Sequence, residues 1–194
     1  MTDSAVIVHL VGFPGAGKYT VARAIARQAE LDGRRYVVID NHHTSNVIFK
    51  VMDVDGVRPI PREVWDRVGE VRAALCRAIE EFSPPDWSFV FTNVLTEGEQ
   101  VDRDIVARLK ELAARRGNPY VPIYIHCETE ENLRRVPAAE RRERMKWIDA
   151  DAVRAFVDGH ELLCFDGHDP FAVDVTSLTP DDAARQILEH IADL

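Results

Sequence analysis

Short apolar runs alternate along this chain with longer stretches in which apolar residues recur every three or four positions. The short runs cover residues 6–11, 36–39, 89–91, 121–125 and 172–175, each rich in Val, Ile or Phe. Strands covered by helices on both faces have this composition, because neither side meets water. Between the runs the period changes. Val64, Val68, Val71, Leu75 and Ile79 predict one amphipathic helix, and Val101, Ile105, Leu109 and Leu112 another. Thr96 followed by Glu99 predicts a capping box ahead of the second helix, and Arg115-Arg116-Gly117-Asn118-Pro119 predicts its stop. Thr179-Pro180-Asp181-Asp182 supplies a cap, a first-turn proline and an acidic first turn for a last helix that buries Ala184, Ile187, Leu188 and Ile191. The alternation predicts an α/β domain with a parallel sheet. No repeat, low-complexity tract or linker interrupts it, so residues 1–194 are expected to form one domain, with residues 53–61 as an irregular loop.

The first predicted strand runs into Gly12-Phe13-Pro14-Gly15-Ala16-Gly17-Lys18-Tyr19-Thr20 and then into a helical stretch. This is the pattern of a phosphate-binding loop, except that Tyr19 stands where Ser or Thr is expected. Glycines let successive N–H groups turn inward toward phosphate oxygens. The helix that follows offers its positive end to the same oxygens, and Lys18 adds a point charge. Gly12, Gly15, Ala16, Gly17, Lys18, Tyr19 and Thr20 are therefore the expected binding site for a nucleoside triphosphate.

Composition narrows the partners. A formal net charge of −9 argues against non-specific attraction to nucleic acid or to an anionic membrane. No apolar run approaches the ~20 residues that span a bilayer, and Met1-Thr2-Asp3-Ser4 lacks the basic start of a signal peptide. Cys76, Cys127 and Cys164 have no paired spacing, which suits reduced thiols and a cytoplasmic location. His160, Cys164 and His168 lie four apart, but Asp166-Gly167 and Pro170 break the helix that a zinc site of that spacing needs.

The order of elements and the Gly12–Thr20 loop together resemble the nucleoside monophosphate kinase, shikimate kinase and gluconate kinase group of P-loop kinases, and are similar to chloramphenicol phosphotransferase. The resemblance covers nearly the whole chain as topology, but only the phosphate loop as a specific motif. It implies a three-layer P-loop NTPase fold whose five-stranded parallel sheet, in order 2-3-1-4-5, is flanked by helices. It also implies ATP with Mg2+, an acceptor-binding part at about residues 41–86 and a small lid at about residues 134–148. Adenylate kinases place the loop hydroxyl one position later, which matches Thr20. In them magnesium keeps mostly water ligands, so the ion is expected through water near Thr20 and Asn93.

Phosphoryl transfer needs positioning, charge neutralisation and a group to take the acceptor's proton. In a doubly wound sheet such groups lie beyond the carboxyl ends of the strands. Asp40 ends the second predicted strand; by the resemblance it orients or deprotonates an acceptor hydroxyl, while a helix N-cap is the plainer account. His42 and His43 follow, with one of the two expected to face the cleft if the chain there is extended, before a helix that Thr44-Ser45 begins. The third strand ends on Thr92-Asn93, where an acid that holds magnesium is common. Arg134, Arg135, Arg141, Arg142, Arg144 and Lys146 form a basic region that is either a solvated, salt-bridged helix or, by the resemblance, the lid. On the second reading Arg134 or Arg135 lies beside the adenine, and Arg141, Arg142 or Arg144 clamps the moving phosphate. Thr176-Ser177-Leu178-Thr179 would border the adenine or simply cap a helix. Arg58, Trp65, Arg67 and Arg72 are candidate acceptor contacts. The leading expectation is an ATP-dependent kinase acting on a hydroxyl of a small molecule. A nucleoside monophosphate kinase and a nucleotide-binding sensor or interaction module without turnover are the alternatives. A GTPase is disfavoured, because no Asn-Lys-x-Asp motif is present.

Overall fold

The computed structural model describes residues 5–58, 60–165 and 170–194. Its centre is a five-stranded sheet in the order β2-β3-β1-β4-β5. The strands are β1 (Ile7–Val11), β2 (Tyr36–Asp40), β3 (Ser88–Asn93), β4 (Tyr120–His126) and β5 (Phe171–Asp174), and every pairing is parallel. β3 begins one residue before the predicted run because the Ser88 N–H joins the ladder to the Arg35 carbonyl at 2.9 Å, opposite Tyr36, while its hydroxyl accepts the Val6 N–H at 3.0 Å. No helix among the described residues is long and apolar enough to cross a membrane.

Alternation along the strands sends side chains to two helical layers. Val8, Leu10, Val90, Ile123 and Ile125 pack under α1 (Lys18–Leu31) and α8 (Pro180–Ala192). Ile7, Val11, Phe89 and Phe91 pack on the other face with α3 (Arg62–Phe82) and α4 (Gln100–Arg116). α8 buries Ala184, Ile187, Leu188 and Ile191 as its period predicts, and the Thr179 hydroxyl caps it by accepting the Asp182 N–H at 3.1 Å. Gly117, at φ 69°, ends α4 in the left-handed turn that favours glycine.

The start of α4 differs from the predicted capping box. Glu99 is its N-cap and contributes no side-chain bond. Thr96 instead donates its N–H (2.7 Å) and hydroxyl (3.2 Å) to Asp102, because the chain before α4 is pulled inward by a bridge between Thr96 and Leu162. A second difference lies after β2. α2 spans Asn41–Phe49, so the helix begins at Asn41 and not at Thr44-Ser45. The reason is Asp40, whose carboxylate accepts the His42 N–H at 2.8 Å and caps the helix.

β1 also buries one polar side chain completely. His9 contacts the Tyr120 hydroxyl through Nδ1 (2.8 Å) and the Asn93 amide oxygen through Nε2 (3.0 Å). An amide oxygen only accepts, so Nε2 carries the proton and the tyrosine donates to Nδ1. Burial lowers the His9 pKa to about 4, against the opposing pull of the Asn93 bond. Between the ordinary histidine value and about 4, the unfolded chain therefore binds a proton that the folded chain refuses, and stability falls as pH falls through that window. Urea unfolding at about pH 7 and about pH 5 should show a lower unfolding free energy at the acid end, by up to about 1.4 kcal/mol per pH unit from this residue. His9→Gln should flatten that decline; an unchanged slope would contradict it.

Candidate functional site

The phosphate loop joins β1 to α1 with the chain folded into a concave turn. Gly15 and Gly17 hold φ of 93° and 84°, a region that residues with a Cβ rarely occupy. Gly12 has no space for one, because a side-chain carbon there would collide with the Ile125 carbonyl oxygen of β4. Gly17 is the N-cap of α1 and supplies no side chain to it, so the positive end of the helix faces the loop's hollow. Lys18 lies across this hollow, donating to the carbonyls of Gly12 (2.6 Å) and Phe13 (2.9 Å). Burial, and then the charges of Lys146 and Arg141, lower its pKa to about 7, against the opposing pull of Asp40.

At the end of β2, Asp40 does two jobs at once. Oδ1 caps α2, and Oδ2 receives the Lys146 ammonium at 2.9 Å. Burial alone would raise its pKa, yet Lys146, the His42 N–H and the remaining contacts hold it below the ordinary carboxylate value. The two histidines stand on a helix instead of an extended segment, so they diverge by helical geometry. His42 turns to the cavity and bonds Asn46 through Nδ1 at 3.0 Å; burial, with Lys146 next, lowers its pKa to about 4. His43 is exposed and meets the edge of Tyr19.

The basic region folds as α5 (Thr129–Arg135), α6 (Ala139–Glu143) and α7 (Ala150–Gly159), with residues 144–149 as a strap between the last two. α5 closes against the loop: a Cβ on Gly15 would lie 2.9 Å from the Asn132 carbonyl oxygen. The strap reaches the other side of the site. Asn46 donates to the Arg144 carbonyl (3.2 Å), and Ile148 donates its N–H to the Gly56 carbonyl (3.1 Å). Gly56, at φ 77°, sits so close that a Cβ there would lie 2.5 Å from the Lys146 oxygen. Leu133, Val136 and Val153, with Trp147, give this region a small apolar core of its own.

Individual arginines are thereby sorted. Arg134 is exposed and paired with Glu131, whereas Arg135 bonds Glu131 and reaches the carbonyls of Val175 and Thr176 at 3.2 and 3.3 Å. Arg135 is the one of this pair that lines the cavity. Arg142 is exposed. Arg141 is largely buried: one Nη donates to the Trp147 carbonyl at 2.8 Å, and Nε is a buried donor with no protein acceptor. Arg144 lies over the Tyr19 ring, 4.4 Å from its centre, and Lys146 lies 5.0 Å from the same centre. Tyr19 is thus more than a ring beside a helix start. It is a cation–π seat for the strap.

Loop, Asp40, His42, Arg141, Arg144 and Lys146 line one cavity of about 1190 Å³ that extends to Phe49, Trp65, Arg72 and Asp102. Arg58 borders it but is exposed and bound to Asp55 at 2.7 Å; Arg67 is exposed and paired with Glu70, away from the cavity lining. Arg72 is drawn inward and donates to the Asn41 side chain at 2.7 Å. Asn93 lines the cavity too, but its amide is occupied at both ends, by His9 (3.0 Å) and by Asn41 (3.2 Å). With Asn93 committed to that relay and Tyr19 covered by cations, neither usual protein ligand for magnesium is on offer. Among the described residues no group of three His, Cys, Asp or Glu side chains converges either. Thr20 is exposed at the cavity. His160 stacks on Phe156 at 4.2 Å, and His168 lies outside the described residues. The residues hardest to find in the sequence are Lys146 and Asn41. Lys146 differs from its neighbours there only as the one lysine among arginines.

No protein-family model matches the chain, and no curated protein matches it. Solved structures do. A protein of Chloroflexus aurantiacus j-10-fl superposes with a TM-score of 0.65 at 16% identity, over 96% of this chain and 98% of its own. APS kinase CysC of Mycobacterium tuberculosis, solved with AMPPNP and APS, matches with a TM-score of 0.60 at 14% identity, over 98% and 99%. Kti12 of Chaetomium thermophilum, solved with ADP-AlF3, gives 0.58 at 18% identity, over 96% and 97%. The fold is therefore that of the P-loop kinases, sheet order included.

The Lys18 pKa of about 7 has a measurable consequence. A phosphate placed in the loop favours the charged ammonium, so binding above neutral pH should draw in a proton. Calorimetric titration of a nucleoside triphosphate at about pH 8, in buffers of different ionisation enthalpy, should show uptake approaching about one proton, with affinity falling as pH rises further. No uptake would contradict the buried, depressed lysine.

Proposed function

We propose that this protein is an ATP-dependent phosphotransferase that passes the terminal phosphate to a hydroxyl group of a small molecule. The observation that carries this reading is the opening of Lys18 and Asp40 onto one cavity, with Arg141 and Arg144 entering it from the lid. In this reading the backbone of residues 12–20 cradles the phosphates, Lys18 binds the outer ones, and Arg135 borders the base. Asp40 accepts a hydrogen bond from the acceptor hydroxyl and takes its proton as the phosphoryl group leaves. A depressed pKa suits an orienting carboxylate that gains the proton late, since little proton transfer is needed in a loose transition state. Arg141, whose buried Nε has no protein acceptor, and Arg144 offset the charge on the moving phosphoryl oxygens.

Residues 41–86 form the acceptor side and residues 134–148 the lid. Phe49, Val54, Ile60 and Trp65 give the acceptor part apolar walls, and Arg72 and Asp102 give it fixed polar points, which suits a compact organic molecule. A nucleoside monophosphate acceptor is less well served: Arg58 and Arg67 are spent on Asp55 and Glu70, and the carboxylate at the reacting end repels a phosphate.

Turnover should appear as ADP release when the protein is offered a panel of sugars, nucleosides, aminoglycosides, phenicols and monophosphates. Lys18→Ala should abolish ATP binding at concentrations that saturate the native protein. Asp40→Asn should bind ATP yet lose about 10²–10⁴-fold in turnover on a hydroxyl acceptor. Tight ATP binding with no acceptor-dependent ADP release would favour a nucleotide sensor instead.

A further inference from the structure

The phosphate loop and lid bring several cations to one place and provide one carboxylate to meet them. Lys146 is the member that touches both sides. Its ammonium is 2.9 Å from Asp40 Oδ2, with the two side chains 15% and 4% exposed, and it lies 5.0 Å from the centre of the Tyr19 ring. The strap fixes it from every direction. Met145 holds a left-handed φ of 51°, which turns the chain sharply just before Lys146. The Lys146 N–H donates to the Arg141 carbonyl at 2.9 Å, Arg141 in turn holds the Trp147 carbonyl, and Asn46 holds that of Arg144. A residue with a non-glycine left-handed turn before it and tethers on both sides is placed, not loose.

The charges that face this ammonium are Asp40 on one side and Lys18, Arg141 and Arg144 on the others. A terminal phosphate cradled beside Lys18 would carry more negative charge than one carboxylate and would draw on the cations that face Lys18, Lys146 among them. Asp40 and that phosphate therefore compete for one cation. Serine or threonine at position 19 offers no face on which a cation can rest; the tyrosine ring does, and keeps Lys146 and Arg144 beside the loop whichever anion they serve.

Resting on the nucleotide-binding reading above, we propose that Lys146, seated on Tyr19, is shared between Asp40 and the terminal phosphate of the nucleotide, so that phosphate binding uncovers the carboxylate that receives the acceptor's proton. Lys146 is then a phosphate-binding residue, and Tyr19 a positioning residue that acts through it. The arrangement ties the readiness of Asp40 to the presence of a third phosphate.

Calorimetric titration of the full chain with a non-hydrolysable ATP analogue and with ADP tests this. Lys146→Met should weaken the triphosphate by about tenfold or more while ADP affinity stays within about twofold, which also reports an intact fold. Tyr19→Leu should shift the ratio in the same direction, and Tyr19→Phe, which keeps the ring face, should retain the native ratio. Asp40→Asn should strengthen triphosphate binding several-fold, and the gain should vanish in the Asp40→Asn/Lys146→Met double variant. A gain that persists in the double variant would reflect mere removal of a negative charge and would overturn the proposal. An unaltered triphosphate-to-diphosphate ratio in Lys146→Met would overturn it as well. Failure of the native protein to bind either nucleotide is a different result, and it would overturn the function proposed above.

Discussion

The site is organised by an imbalance of charge. One buried carboxylate, Asp40, faces Lys18, Arg141 and Lys146 within a largely desolvated space, and Arg144 adds its charge beside Lys146. Taking charges out of water costs several kcal/mol per ion, and only close, well-oriented partners offset it. Asp40 meets that demand from two directions, by capping α2 and by pairing with Lys146. The end of β2, the first turn of α2 and the strap after α6 are thereby joined through a single side chain. The surplus of positive charge that remains is complementary to a polyphosphate.

The fold was largely legible because parallel strands covered on both faces need uninterrupted apolar runs, and the runs at 6–11 and 121–125 have few other uses. The same holds for the last helix, whose cap, proline and acidic turn lie next to one another in sequence. The misplaced features turn on which of several short-range polar contacts a side chain makes, and residue type alone does not choose among them. Thr96 looks like a helix cap until Asp102, on the helix itself, turns out to hold it. α2 begins early because Asp40, for which a helix N-cap is one of the two expected accounts, caps the helix at Asn41 ahead of Thr44-Ser45. Among the site residues, the glycines and Lys18 announce themselves by spacing, since the loop is a local structure. Lys146 does not, because its place depends on a left-handed Met145 and on a partner in a different part of the sheet.

Asn93 shows how a strand end can change its use. In place of an acid at the carboxyl end of β3, an amide links His9 beneath it to Asn41, which in turn holds Arg72. The Asn93 carbonyl also accepts the Gly12 N–H at 3.3 Å. The centre of the sheet, the root of the phosphate loop and one wall of the cavity are thus parts of one hydrogen-bonded chain. A buried polar relay of this kind rigidifies only when every member is satisfied. Its histidine must therefore stay neutral.

Gly56 carries a consequence for how such a protein can diversify. Its carbonyl holds the strap, and it leaves no room for a side chain against Lys146. The loop at 53–58 borders the cavity, and the strap carries Arg144 and Lys146 into the same cavity. Fastened backbone to backbone, the two cannot drift apart in sequence space as independent modules. A change of loop length that admits a larger molecule would also displace the strap and its charges. On the proposed function, selectivity and closure would be inherited as one trait, and an altered specificity would arise from side chains deeper in the cavity or bring a reworked lid with it.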